Sequence, residues 1–352
     1  MRVRLHSAAA ALALAVATAA CSVSFPHGDA ARETPFTRTR TDLLGTVVTI
    51  SVHDAAPSDA ELETLLGACF LAVEDVDARM SPNRATGEQA AVNGAAGDGF
   101  VEVSEELYGL LSRAKDIAEL SGGAFDPTIG PVTALWKRNG VFGRLPSSEE
   151  ISERLPLVDH KRLELRAPRM VSLANRGMAL DLGGIAKGCA CDGAAAVLRE
   201  GGVRHAVLDF GGNVCVMGSR PDGSDWRVGI RPPLIRESGV ACVVEVSELS
   251  VVTSGGYERF FERDGTIYHH LLDPKTGLPA RAGLLSATVI APSSTEADGL
   301  STACFVLGLE EGMRLLSERG LEGVFIDEDL RIHVTDGLKG KVRVTDERFS
   351  LE

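Results

Sequence analysis

The chain has 352 residues, 44% of them apolar and 24% charged, with 36 Lys+Arg against 49 Asp+Glu and a formal net charge of −13. At about 150 residues per domain this allows one large domain or two ordinary ones, with enough apolar residues to bury a sizeable core. The acidic balance and an aromatic share of 5% exclude a nucleic-acid protein, which needs basic surface and stacking faces. Collagen-like, coiled-coil and disordered classes are excluded as well.

The first 20 residues read as a secretory signal. Arg2 and Arg4 precede an unbroken small and apolar run from Ser7 to Ala20, shorter than the roughly 20 residues a spanning helix needs. Thr18-Ala19-Ala20-Cys21-Ser22 resembles a bacterial lipobox, with Thr18 where lipoproteins usually carry Leu. The expectation is an exported body on the periplasmic side of a bacterial membrane, held by a lipid on Cys21. Plain cleavage at an Ala-x-Ala-like site is the alternative. Residues 21–40 are polar and read as an irregular tether, 41–340 as the domain, and 341–352 as a tail. Nothing later is apolar enough to span a membrane. Cys69, Cys189, Cys191, Cys215, Cys242 and Cys304 each sit in an apolar pattern and read as buried free thiols, although an oxidising compartment permits disulfides.

Thr46 to His53 alternates and predicts a first strand. Ser58 with Glu61 makes a capping box for a helix whose Leu62, Leu65, Leu66, Cys69, Val73 and Val76 share a face. A second helix starts at Ser104 and stops at Gly122-Gly123. After a variable-looking stretch at 140–165, two short strands are expected on either side of Asn175-Arg176-Gly177, the second being Met178 to Leu182. Gly183-Gly184 then leads into a helix ending at Gly201-Gly202. Strands are expected at 205–210, 226–231, 240–246, 249–253, 267–272 and 285–291. Helices follow at about 294–308 and 311–319, with a hairpin near 323–334. This irregular mixture predicts an α+β fold, with mixed or antiparallel sheets packed against helices.

Four units could carry chemistry. In Ser294-Thr-Glu-Ala-Asp298-Gly-Leu-Ser301-Thr302, Asp298 and Thr302 stand one turn apart on a helix. They offer hard oxygen ligands of the type Mg²⁺ prefers, although Asp298 could simply complement the helix N-terminus. In Asp181-Leu-Gly183-Gly184-Ile-Ala-Lys187-Gly188, a glycine turn leads into a helix with Lys187 in its first turn, an arrangement able to hold a phosphate. It fits neither dinucleotide nor Walker templates. Gly-Gly-Ala124-Phe125-Asp126-Pro127 can approach a flat ligand through its glycines, or be an ordinary loop. In Tyr268-His269-His270-Leu-Leu272-Asp273-Pro-Lys-Thr-Gly277, neighbouring strand histidines point to opposite faces. One of them could act as a base or be merely structural. Thr253-Ser254-Gly-Gly-Tyr257 is a further small-residue loop.

In their order these motifs, with Met80-Ser81, resemble the ApbE family of FAD:protein FMN transferases over nearly all of residues 41–340. The resemblance implies an ApbE-like fold and a Mg²⁺-dependent reaction. A Ser or Thr hydroxyl of an acceptor protein attacks the phosphorus on the FMN side of FAD, and AMP leaves. It implies Asp298, Thr302 and the Gly184 carbonyl as metal ligands, with Ser301 as a possible addition. It also implies Asp181, Lys187, Ala124, Phe125, Asp126, Leu44 and Leu272 as FAD contacts, and His270 as the group assisting deprotonation. The expected acceptor is an exported subunit of a membrane redox complex. Relatives often place an aromatic over the flavin where this chain has Asn83, so hydrolysis of FAD to FMN and AMP is the alternative activity. A non-catalytic flavin-binding lipoprotein is a third reading.

Overall fold

A computed structural model describes residues 31–80 and 86–352. The leader, Cys21, Ser81 and Asn83 lie outside the described residues. In the strand Thr46–Asp54 the alternation puts Val48, Ile50 and Val52 on one face, all fully buried. This strand belongs to a nine-stranded sheet. Its order is Ala31–Leu43, Thr46–Asp54, Ala206–Phe210, Asn213–Met217, Leu249–Gly255, Leu284–Ala291, Glu322–Asp327, Arg331–Val334 and Ser350–Leu351. Every neighbouring pair is antiparallel except the last.

Helices cover one face of the sheet. Asp59–Met80 starts from the expected box, Ser58 N–H donating to Glu61 Oε2 at 2.8 Å. It packs Leu62, Leu66, Cys69 and Val73 against Ala190, Ala194 and Leu198 of the helix Ala186–Glu200. Glu105–Leu120, capped by Ser104, lies with Ser294–Leu307 over the other half of the sheet. The opposite face is closed by a three-stranded sheet of Trp226–Ile230, Cys242–Val246 and Val342–Val344. Its Val228, Cys242 and Val244 meet Val251, Ile290 and Ile326 in a wholly apolar layer. Each fully buried Val, Ile or Leu stabilises this α+β fold by about 1.5–3 kcal/mol.

Several expected boundaries are corrected. Residues 31–40 are no irregular tether but part of the edge strand Ala31–Leu43, tied to its neighbour by Thr37–Ser51 and Thr39–Thr49 hydroxyl contacts at 2.9 and 3.1 Å. Residues 341–352 are no free tail, since Val342–Val344 and Ser350–Leu351 each join a sheet. Met178 to Leu182 forms no strand; the hairpin here is Leu163–Arg166 with Met170–Leu173. The Leu180 backbone is instead held by side chains, accepting from Gln89 Nε2 at 2.9 Å and donating to Asn93 Oδ1 at 2.7 Å. Asn213–Met217 and Phe260–Arg263 are strands that had gone unrecognised. The first returns through Gly211-Gly212, both with positive φ, a turn suited to a hairpin. All six cysteines among the described residues are free, and five are buried. Burial pushes the Cys69 and Cys304 thiols up to about 12. No helix among the described residues is long and apolar enough to cross a membrane.

Candidate active site

The two central helices meet at a point where only glycine fits. A methyl on Gly188 would lie 2.2 Å from the Ser294 carbonyl oxygen, so the start of Ala186–Glu200 sits directly on the start of Ser294–Leu307. Asp192 locks the junction. Its carboxylate accepts from Ser293 Oγ, Ser294 N, Thr295 N and Thr295 Oγ1, at 2.8, 2.8, 2.9 and 2.6 Å. Sequence reading missed this residue, because no motif within one helix signals a cap supplied to another.

That junction brings the expected metal ligands together. Asp298 is 2% exposed. Its Oδ1 accepts from Lys187 Nζ at 3.2 Å and its Oδ2 from Gly188 N at 2.9 Å. Thr302 follows one turn later, and a methyl on Gly184 would stand 3.3 Å from both Thr302 Oγ1 and the Phe125 ring. Gly184, Lys187, Asp298, Thr302 and Phe125 therefore share one spot. A buried carboxylate and a hydroxyl standing together, with the Gly184 backbone beside them, suit a hard divalent ion. No group of three His, Cys, Asp or Glu side chains able to hold an ion occurs among the described residues.

Around this spot the other expected residues divide. Asp181 Oδ1 accepts from Gly183 N at 3.0 Å, while Oδ2 accepts from Thr133 Oγ1 at 2.8 Å and faces Lys137 Nζ at 3.5 Å. Ala124 and Asp126 are buried in the neighbouring loop. Both oxygens of Asp126 are occupied by protein: Oδ1 accepts from Thr128 N and Oγ1, and Oδ2 from His160 N and Nδ1. Leu272 is buried in a separate apolar cluster with Val132, Trp136 and Ile151. Leu44 occupies the left-handed region, with φ of 53°, in the turn between the first two strands. A methyl on the adjacent Gly45 would lie 3.7 Å from the Arg259 guanidinium.

The strand ends at His269, so His270 lies just beyond it. The two imidazoles do serve different surroundings. His269 Nε2 donates to the Ala280 carbonyl at 3.0 Å, and the ring packs edge-on to Phe305. His270 Nδ1 meets the Arg259 carbonyl at 3.2 Å. A carbonyl only accepts, so Nδ1 carries the proton and Nε2 keeps its lone pair. Burial, then the Arg259 charge, lower the His270 pKa to about 3, which keeps the ring neutral near pH 7. The part Arg259 plays in setting the tautomer was invisible in sequence because it acts there through its backbone carbonyl.

The chain has relatives. The ApbE family model matches residues 44–325. The chain is 40% identical over 340 residues to a FAD:protein FMN transferase of Treponema pallidum, covering 92% of this chain and 93% of that protein. A FAD:protein FMN transferase of Klebsiella pneumoniae is 34% identical over 270 residues, covering 76% and 83%. Among solved structures, the ApbE protein of Thermotoga maritima superposes with a TM-score of 0.79 at 32% identity, over 88% of this chain and all of that one. The apo flavinyl transferase ApbE of Pseudomonas stutzeri gives 0.76 at 29% identity, over 88% and 96%. Motif order, identity and fold thus agree: the chain belongs to the ApbE family.

Proposed function

We propose that this chain transfers FMN from FAD to a Ser or Thr hydroxyl of an acceptor protein and releases AMP. The observation that carries this reading is the meeting of Asp298, Thr302, Gly184 and Lys187 at one helix junction, in a chain whose relatives bear the transferase name. Mg²⁺ would be held by Asp298, Thr302 and the Gly184 carbonyl, and when bound it supplies charge neutralisation at the phosphates. Lys187 adds a second positive charge at the same place. Asp181, Ala124, Phe125, Leu44 and Leu272 would line the FAD. Asp126 would contribute through the loop it braces rather than through its occupied carboxylate. The acceptor oxygen bonds to the FMN phosphorus, the bond to the AMP oxygen breaks, and the hydroxyl proton passes to His270 Nε2. The free Nε2 lone pair, fixed in place by the Nδ1 bond to the Arg259 carbonyl, supports that role. In our reading the protein works on the periplasmic side, anchored through Cys21, on an exported subunit of a redox complex.

Asn83 favours a second reading, hydrolysis of FAD by water at the same site. The deciding experiment incubates the protein with FAD and Mg²⁺, with and without an exported flavoprotein subunit, followed by intact mass and AMP detection. An acceptor mass gain of one FMN with matching AMP is expected. AMP and free FMN with no adduct on any acceptor would replace the transferase by the hydrolase. No AMP under any condition would leave a flavin-binding protein.

A further inference from the structure

Behind Thr302 lies a hydroxyl chain that crosses from the helix to the sheet. Ser254, in the strand Leu249–Gly255, is 9% exposed. Its Oγ lies 2.9 Å from Ser301 Oγ and 3.3 Å from Thr302 Oγ1. Ser301 Oγ also donates to the Asp298 carbonyl at 2.9 Å. That bond uses the single proton of Ser301, so Ser254 is the donor in its contact with Ser301. With its own proton committed, Ser254 can only accept from Thr302. The remaining protein partner of Thr302 Oγ1, the Asp298 carbonyl at 3.4 Å, also only accepts. Both contacts turn the Thr302 proton back into the protein. Its lone pairs are left for the side where Gly184 approaches.

We propose that Ser254 is a positioning residue: it fixes the direction of the Thr302 proton, so that Thr302 meets a divalent cation as a pre-oriented neutral oxygen. The idea rests on the metal reading above. It assigns a role to the Thr-Ser-Gly-Gly-Tyr segment, expected as a loop but formed at residues 253–255 by the end of a strand, which the reaction otherwise leaves unused. Without the Ser254 hydroxyl, Thr302 keeps only its longer contact to the Asp298 carbonyl, and its oxygen must be oriented at the moment of metal binding. Outer partners of this kind typically change metal affinity by about 10–100-fold.

The test is Mn²⁺ binding, followed by the electron paramagnetic resonance of free Mn²⁺, on the full chain with saturating FAD. Ser254→Ala is expected to weaken Mn²⁺ binding about tenfold or more. Ser254→Thr, which keeps the hydroxyl, should restore most of it. The Mg²⁺ concentration for half-maximal transfer should rise in Ser254→Ala by a larger factor than kcat falls. Ser254→Cys, of similar size but a weak donor, serves as a second variant should Ala unfold, as checked by thermal melting, and it too should bind Mn²⁺ more weakly. Wild-type Mn²⁺ affinity in folded Ser254→Ala, with affinity lost in Thr302→Ala, would overturn the Ser254 role and leave the metal reading standing. No Mn²⁺ binding by the wild-type protein would overturn both.

Discussion

The loop at Ser121–Thr128 and the junction of the two central helices each bury an aspartate, at 6% exposure for Asp126 and 2% for Asp298. Around Asp126 four donors converge at 2.6 to 3.0 Å, from Thr128 and His160. Around Asp298 there is one backbone N–H, at 2.9 Å, and one ammonium on a long lysine stem, Lys187 at 3.2 Å. A carboxylate saturated by fixed donors braces structure, since removing it strands each of them. One held by a flexible cation can exchange that partner for a ligand. Burial alone therefore does not separate a brace from a site; what separates them is the rigidity of the partners.

Three measurements sharpen this contrast. The largest effect is expected for Asp298→Ala, which should lower FMN transfer at least a hundredfold, at or beyond the upper end of the roughly 10–100-fold seen for outer partners of metal ligands. Its urea midpoint should move less than that of Asp126→Ala. Asp126→Ala should in turn cost about 3 kcal/mol or more, because several buried donors each lose an acceptor at about 1–3 kcal/mol. That loss is read from urea unfolding, and transfer per folded molecule should fall far less than for Asp298→Ala. If transfer in both variants simply followed the folded fraction, the distinction between brace and site would be gone.

The smallest effect concerns His270. Burial and the Arg259 charge lower its pKa from 6.5 to about 3 in the folded protein. Between these values the unfolded chain binds a proton that the folded chain does not, so stability is full above pH 6.5 and declines as pH falls towards 3. His270→Gln should therefore lose less stability than wild type between about pH 7.5 and 5 in urea titrations. By the same token kcat/KM, which reports the free enzyme, should show no acid limb from His270 near its ordinary pKa. A limb there that vanishes in His270→Gln would contradict the lowered pKa of this ring.

Much of this was legible beforehand. The Ser58 and Ser104 caps, the Val48–Ile50–Val52 alternation and the one-turn spacing of Asp298 and Thr302 are local properties, set by helix and strand periods. The edge strand at 31–43 was not, because most of its residues are exposed and carry no hydrophobic alternation; only pairing with Thr46–Asp54 makes it a strand. Met178 to Leu182 misled in the opposite sense. Its composition suits a strand, but Gln89, Asn93 and the Pro127 carbonyl claim its backbone groups first.

By itself, then, the sequence determined the α+β mixture, the family and the residues that could ligate a metal, because those depend on residue type and near spacing. The tertiary structure alone decided how they are used. The bare Cα of Gly188 lets two helices touch, and Asp192 clamps them. The Arg259 carbonyl sets the tautomer of His270, and a serine from the sheet completes the hydroxyl chain behind Thr302. Each of these couplings joins groups distant in the chain, so its energy exists only once the fold has brought them within hydrogen-bond reach.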